Sequence, residues 1–252
     1  MKIATWNVNS LKVRLPHLLD WLAANPIDVI CLQETKQQDA DFPLIELQNA
    51  GYHCAFSGQK TYNGVAILSR TTICDVQYGI PNFDDEQKRV LAATIDGVRV
   101  VCIYVPNGQE VGADKYHYKL KWLAALQLWL KDELAKFPKL VLLGDYNIAP
   151  EDRDLYDPVS WAGKILVSKA ERSAFQGLLK LGLRDAFRLF EQAEKSFSWW
   201  DYRMMAFRRN MGLRIDHILI SEALNCSACL IDKSPRKLER PSDHTPVVAE
   251  IQ

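Results

Sequence analysis

Short apolar runs rich in β-branched residues recur along the whole chain, and most of them stop at a polar residue. They read IATW, DVICL, GVAILS, RVLAATI, VRVVCIYV, KLVLLG, IDHILIS and PVVAEI. Runs of this length and composition are strand signals, and their spacing leaves room for helices between some of them. Leu123, Leu126, Leu130 and Leu134 recur three or four apart, widened by Trp122 and Trp129, which predicts a helix over Tyr118–Lys136. Two further helices are predicted over Val13–Ala24 and Ala170–Leu181, the latter stopped by Gly182. These Leu and Trp stripes are core-packing faces.

Asp96-Gly97 between RVLAATI and VRVVCIYV is a hairpin signal, so antiparallel pairing is built in. No GxGxxG phosphate loop accompanies the strands, which argues against a purely parallel doubly wound sheet. The expected architecture is α/β, with two packed, mainly antiparallel sheets and helices outside. No linker-like composition or long-period repeat divides the chain, so residues 1–252 are expected to form one domain.

Composition narrows the setting. Lys+Arg and Asp+Glu are both 31, which argues against a histone-like binder but not against an enzyme with segregated charge. A strand-like run follows Met1 at once, with no charged-then-apolar leader, and no apolar stretch is long enough to span a bilayer. The cysteines are scattered. Cys226 and Cys229 form a CxxC, but it lies in a strand-like segment with no second Cys/His pair, which disfavours a metal or redox role. A monomer in a reducing cytoplasm, with no membrane attachment and no obligate protein partner, is the expectation.

The chemistry sits at the ends of the apolar runs. Asn7 follows IATW, Glu34 follows VICLQ, Tyr104 closes VCIY, and Asp145 and Asn147 close LVLLG. Asp216 opens DHILIS, and Asp243-His244 precede PVVAEI. Each residue alone has an ordinary explanation as a turn, a cap or a solvated charge. Together they are a set that a rigid sheet could aim into one cleft. Glu34, Asp145, Asn7, Asn147 and Asp243 are hard oxygen donors suited to Mg²⁺ or Mn²⁺. Such an ion would neutralise a phosphodiester while Asp145 prepares water. His244, held by Asp216, could bind a phosphate oxygen or exchange a proton.

TWNVNSL, LQETK, NGVAILSR, YVPNG, GDYNIAP, GLRIDHIL and PSDHTPV follow one another in an order similar to that of the exonuclease III family, across essentially the whole chain. The resemblance implies a four-layer α/β sandwich and a metal-dependent nuclease acting on duplex DNA, at abasic sites or 3′ ends, in base excision repair. It implies metal-site roles for Asn7, Glu34, Asp243 and, with Asp145 and Asn147, His244. Tyr104 would be the active-site tyrosine, and Asp216 the acid paired with His244. It also places Trp199, Leu213 and Ile215 around a pocket for a flipped abasic sugar.

The segment WWDYRMMAFRRNMGL interleaves Arg203, Arg208 and Arg209 with aromatic and Met side chains, a composition suited to gripping phosphates and wedging beside an unstacked nucleotide. KSPRKLER adds a second basic stretch. Asn107, Lys115, Lys88, Arg89 and Lys119 are further candidates for contact with DNA. Phosphatases of small substrates and secreted deoxyribonucleases share the implied fold, and a DNA-binding scaffold with a decayed site is the rival of another class. The complete set of polar residues counts against the last.

Overall fold

The computed structural model of the chain describes residues 1–252. The first strands are β1 (Lys2–Asn7), β2 (Val29–Gln33), β3 (His53–Ser57) and β4 (Val65–Ser69). The middle of the chain supplies β5 (Cys74–Tyr78), β6 (Val90–Ile95), β7 (Val98–Tyr104) and β8 (Leu140–Asp145). The last are β9 (Leu183–Asp185), β10 (Asp216–Ser221), β11 (Cys226–Ile231) and β12 (Val247–Ile251). The helices are α1 (Leu11–Ala24), α2 (Leu44–Asn49), α3 (Asp114–Lys136), α4 (Pro158–Trp161) and α5 (Lys169–Leu179).

The strands form two six-stranded sheets, ordered β11-β12-β1-β2-β4-β3 and β5-β6-β7-β8-β10-β9. Every pairing is antiparallel except β1 with β2 and β7 with β8. Parallel neighbours need a crossover, and α1 and α3 are those crossovers. The predicted hairpin joins β6 to β7, pairing Ile95 with Val98 across Asp96-Gly97.

Side chains alternate across each strand, so each sheet has two apolar faces to cover. Ile3, Val29, Cys31 and Ile67 of one sheet meet Leu91, Val100, Cys102, Val141, Leu143 and Ile218 of the other in a shared core. The outer face of the first sheet (Ala4, Trp6, Ile30, Leu32) packs on Leu18, Trp21 and Leu22 of α1. That of the second (Val101, Ile103, Leu142, Leu219) packs on Trp122, Leu123, Leu126 and Leu130 of α3 and Phe175 and Leu178 of α5. The layers run helix, sheet, sheet, helix, as the resemblance implied.

Helix starts were less legible than helix faces. α3 begins at Asp114 rather than Tyr118, since the buried Tyr116 carries its inner face one turn further back than the Leu and Trp stripe shows. α1 begins at Leu11, buried although it precedes the predicted start. The CxxC lies on β11, with Cys229 buried, Cys226 half-buried and both thiols free.

One close approach has no slack. Gly144 pairs with Ile103 across β7 and β8, and a Cβ there would sit 1.8 Å from the Ile103 carbonyl oxygen. Gly144→Ala must therefore push apart the strands that carry Tyr104 and Asp145. Overpacking typically costs about 1–3 kcal/mol, and rigid backbone on the far side gives the upper part of that range. Chemical denaturation should show the loss; an unchanged midpoint would mean the two strands are not held at this distance.

Candidate active site

The face that packs the two sheets together becomes polar at one end. Going along β8, Val141 and Leu143 point into the shared core and Asp145 is the next residue on that side. The same step leads from Val100 and Cys102 to Tyr104 on β7, and from Ile218 to Asp216 on β10. Register sets these three side by side, Tyr104 opposite Asp145 and Asp145 opposite Asp216. On the facing sheet Asn7 lies opposite Gln33, with Glu34 just beyond. Asn7 and Asp145 close the carboxyl ends of strands in the two parallel pairs, the end at which α/β sheets commonly hold ligands.

Hydrogen bonds cross between the sheets here. The Asn7 amide Nδ2 donates to Glu34 Oε1 and to Asp145 Oδ2, both at 2.9 Å, while its Oδ1 accepts from the Asn9 N–H at 3.0 Å. The Tyr104 hydroxyl donates to Glu34 Oε1 at 2.9 Å. Burial, reinforced by the charges of Glu34 and Asp145, drives the Tyr104 phenol well above its ordinary range, so it stays a donor. Glu34 has φ 52, a turned backbone that no sequence pattern announces. Its Oε2 faces Lys36 Nζ at 2.8 Å, and Lys36 leads the influences that hold this carboxyl below its ordinary value against the opposing effect of burial.

Asp145 is buried, and its Oδ1 accepts from the Asn147 N–H at 2.8 Å. Burial pushes its carboxyl up, with Asp216 adding to the effect and His244 opposing it. His244 Nε2 lies 3.7 Å from Asp145 Oδ2, and its Nδ1 is 2.9 Å from Asp216 Oδ2. Ser198, missed by the sequence reading, donates its hydroxyl to the same Asp216 oxygen at 2.6 Å. Burial alone would drive His244 down, but Asp216 and then Asp145 outweigh it and raise the imidazole to about 10.

Glu34, Asp145 and His244 offer ligand atoms within 4.8 Å of one another. The two carboxylates are the hard donors a divalent ion such as magnesium takes, and the Asn7 amide holds them together. A protonated imidazole has no lone pair to give, so His244 suits a phosphate oxygen better than a metal. Asp243 stands aside from this cluster: its oxygens accept from Asn9 Nδ2 at 2.8 Å and Trp199 Nε1 at 3.0 Å. Asn147 Nδ2 donates to the Val105 carbonyl at 3.0 Å, and its Oδ1 accepts from Asn107 Nδ2 at 3.1 Å.

Around the site the basic candidates divide. Arg208, Arg209 and Lys115 are exposed, and Arg203 is exposed but paired with Asp201. Met204 and Met205 are 70% and 64% exposed at backbone φ of 59° and 51°, a strained tip between these arginines. Trp200 instead packs inward on Phe207. Arg89 is buried, donating to Gln87 and to the Tyr104 carbonyl with its guanidinium over the Tyr104 ring. Arg236 is also buried, under Trp200, Tyr202 and Phe207 and bonded to the Ser242 carbonyl. Lys119 is fully buried beside Glu171. Lys119 is taken up by Glu171 and Arg236 is held beneath the aromatic rings, whereas Arg89, though buried, lines a groove beside Tyr104. Leu213 and Ile215 are buried with Leu155 and Leu166, and Trp199 packs against them. A groove of about 650 Å³ opens beside Tyr104 and Asn107, edged by Lys115, Tyr62, Asn63 and Gln59; the last three were missed because they lie in an irregular loop.

The proton inventory makes a prediction for the metal-free protein. His244, raised from 6.5 to about 10, carries a proton through the neutral range. Its raised value means that its contribution to stability is complete below 6.5 and is lost as pH rises through about 10. Histidine ¹⁵N spectra should show one imidazolium persisting above pH 8, absent in His244→Ala. Titration of that signal near its ordinary value would show that Asp216 and Asp145 do not hold the charge.

The chain matches the profile of the endonuclease/exonuclease/phosphatase family over residues 4–244. It is 37% identical to exodeoxyribonuclease III of Haemophilus influenzae over a 268-residue alignment covering 100% of both. A solved 3′ phosphatase from Neisseria, bound to a product DNA hairpin, is 51% identical with a TM-score of 0.98, over 100% of this chain and 99% of that one. An AP endonuclease from Archaeoglobus fulgidus is 38% identical with a TM-score of 0.97, over 100% and 99%. With its profile match and full-length relatives, this chain belongs to the endonuclease/exonuclease/phosphatase family, among the exonuclease III-type nucleases.

Proposed function

We propose that the chain is a Mg²⁺-dependent DNA repair hydrolase that cleans and trims 3′ ends and cuts the backbone at abasic sites, with Mn²⁺ able to replace Mg²⁺. The observation that carries this reading is the meeting, at one end of the inter-sheet core, of a buried carboxylate, an imidazolium and a carboxylate pair. Asp145 lies 3.7 Å from a His244 backed by Asp216, and Asn7 bridges Asp145 to Glu34. The solved relative with a product DNA hairpin supports DNA as the polymer, and its description as a 3′ phosphatase supports 3′-end chemistry. The AP endonuclease relative supports the abasic activity.

Glu34 and Asp145 would hold the cation, whose chemistry is to neutralise the phosphate and stabilise the leaving oxygen. Asp145 takes a proton from water as the water oxygen bonds to phosphorus and the ester P–O bond breaks, the departing sugar oxygen leaving as an alkoxide that takes its proton from solvent. An ionised Asp145 is needed for this, and the nearby imidazolium favours that form against burial. His244 Nε2–H donates to a non-bridging phosphate oxygen, with Asp216 holding the ring. Tyr104 O–H is a second donor at the same end. Arg208, Arg209 and Lys115 would track the backbone, and the groove beside Asn107 would take a flanking nucleotide. Of the residues expected around an abasic sugar only Trp199 keeps an open face; Leu213 and Ile215 are buried behind it and would shape the pocket through Trp199. We take the whole chain as one catalytic domain acting as a monomer without an obligate protein partner, in the cytoplasm as its bacterial exodeoxyribonuclease relative suggests. No helix is long and apolar enough to cross a membrane.

Three labelled duplexes test the reading: one with an internal abasic site, one with a recessed 3′ end and one with a 3′ phosphate. Cleavage should require added Mg²⁺ or Mn²⁺ and cease with chelator; chelator-resistant turnover would sink the metal reading. Asp145→Asn and His244→Ala should each lower kcat by roughly 10²–10⁴-fold with the fold intact. Because Asp216 acts through His244, the Asp216→Ala/His244→Ala pair should lose far less than the product of the singles. Strict multiplicativity would break that assignment.

A further inference from the structure

Lys119 projects from α3 into the protein and is fully buried, as is its partner Glu171 on α5. All three of its ammonium donors are used: the Asn147 carbonyl at 2.7 Å, the Asn107 carbonyl at 3.1 Å and Glu171 Oε1 at 2.5 Å. Glu171 is equally committed. Its Oε1 also accepts from the Leu166 N–H and its Oε2 from the Ser168 N–H, both at 3.0 Å. One ion pair thus touches the YVPNG loop, the GDYN loop and the loop before α5.

Other bonds also hold these loops, but the Asn107 and Asn147 carbonyls have no donor besides Lys119. Asn147 stands at φ 48, a left-handed backbone that asparagine adopts more readily than most non-glycine residues. Its N–H is held by Asp145 and its carbonyl by Lys119. Gly108 lies against the Lys119 stem, where a Cβ would come within 3.2 Å of Lys119 Cδ, so the Asn107 turn is seated on this side chain. The Asn107 and Asn147 side chains then meet at 3.1 Å. A buried ion pair is a poor way to add stability, because desolvation cancels most of the Coulomb gain. A pair that sends two of its three ammonium donors to the Asn107 and Asn147 carbonyls has a different use.

We infer that Lys119 and Glu171 are positioning residues for the reaction, setting Asn107 and Asn147 in register with Asp145 through the buried bonds between Lys119 Nζ and the two asparagine carbonyls. The inference rests on the reading of Asp145 and Asn147 as the reaction centre. Neither residue touches substrate. The exposed Arg208 and Arg209 are independent of the pair, so its main effect should fall on kcat, with KM moving only as far as Asn107 shifts the groove beside it.

The test separates positioning from stability. Lys119→Met leaves a buried carboxylate unpaired and should lower both Tm and kcat. In Lys119→Met/Glu171→Gln no charge is left buried and the Gln carbonyl can accept from one of the two loop N–H groups, so Tm should recover part of the way toward wild type. The asparagine carbonyls still lack their donor, and kcat on the 3′-phosphate duplex with Mg²⁺ should stay roughly 10- to 100-fold down, with KM within about threefold. Recovery of kcat together with Tm would overturn the inference, and so would a rise in KM at unchanged kcat. Should the double variant fail to fold, Glu171→Gln alone decides. Reduced kcat at unchanged KM in a protein with wild-type circular dichroism supports positioning; undiminished kcat overturns it. Wild-type protein that cuts none of the three duplexes would overturn the functional reading and this inference with it, whereas active wild type beside recovered double variant overturns the inference alone.

Discussion

The packing of the two sheets against each other is the constraint on which the rest depends. An apolar face between sheets is close-packed and dry, and this one ends in ionisable groups rather than in solvent-facing polar residues. Burying Asp145 and Asp216 there is costly unless each charge is bonded. The Asn7 amide, the Asn147 N–H, the Ser198 hydroxyl and the His244 imidazolium supply those bonds. The same low-dielectric wall that makes the site expensive strengthens every charge–charge contact inside it. Reactivity and fold are therefore set by one set of contacts, and the inter-sheet bonds Asn7–Asp145 and Tyr104–Glu34 serve both.

Much of this was legible because strands have a period of two. Once DVICL, VRVVCIYV, KLVLLG and IDHILIS are taken as strands, the polar residues at their ends are candidates for a common cleft. Two Asp-His dipeptides show where local sequence stops being informative. Asp216 pairs with His244, far along the chain, and not with its neighbour His217. His217 points to the opposite face of β10, where burial, with help from Arg214, drives it down to about 4. It bonds the Ile148 carbonyl and Arg214 there, a neutral structural histidine.

The basic residues were less legible, for a reason of geometry. Lys119 and Lys115 lie four apart on α3, yet one is fully buried and the other exposed. Arg236 in KSPRKLER and Arg89 beside Lys88 are both turned inward and used to hold loops. A charge count sees a basic stretch in each case, and only the fold reveals which cations are already spent. Ser198 and the groove residues Gln59, Tyr62 and Asn63 had no periodic signal at all, since they lie in irregular segments positioned by the sheets.

The central claim is that carboxylates from opposite sheets, Glu34 and Asp145, form a single cation site at the end of the shared core. Titration of Mn²⁺ followed by electron paramagnetic resonance tests it most directly, in wild type, Glu34→Gln, Asp145→Asn and the double variant. Binding at one site, weakened by either substitution with losses in the double variant that are not additive in free energy, is the predicted result. Mn²⁺ affinity indifferent to Glu34 or to Asp145 would mean that the two sheets do not share the metal, and would contradict the account.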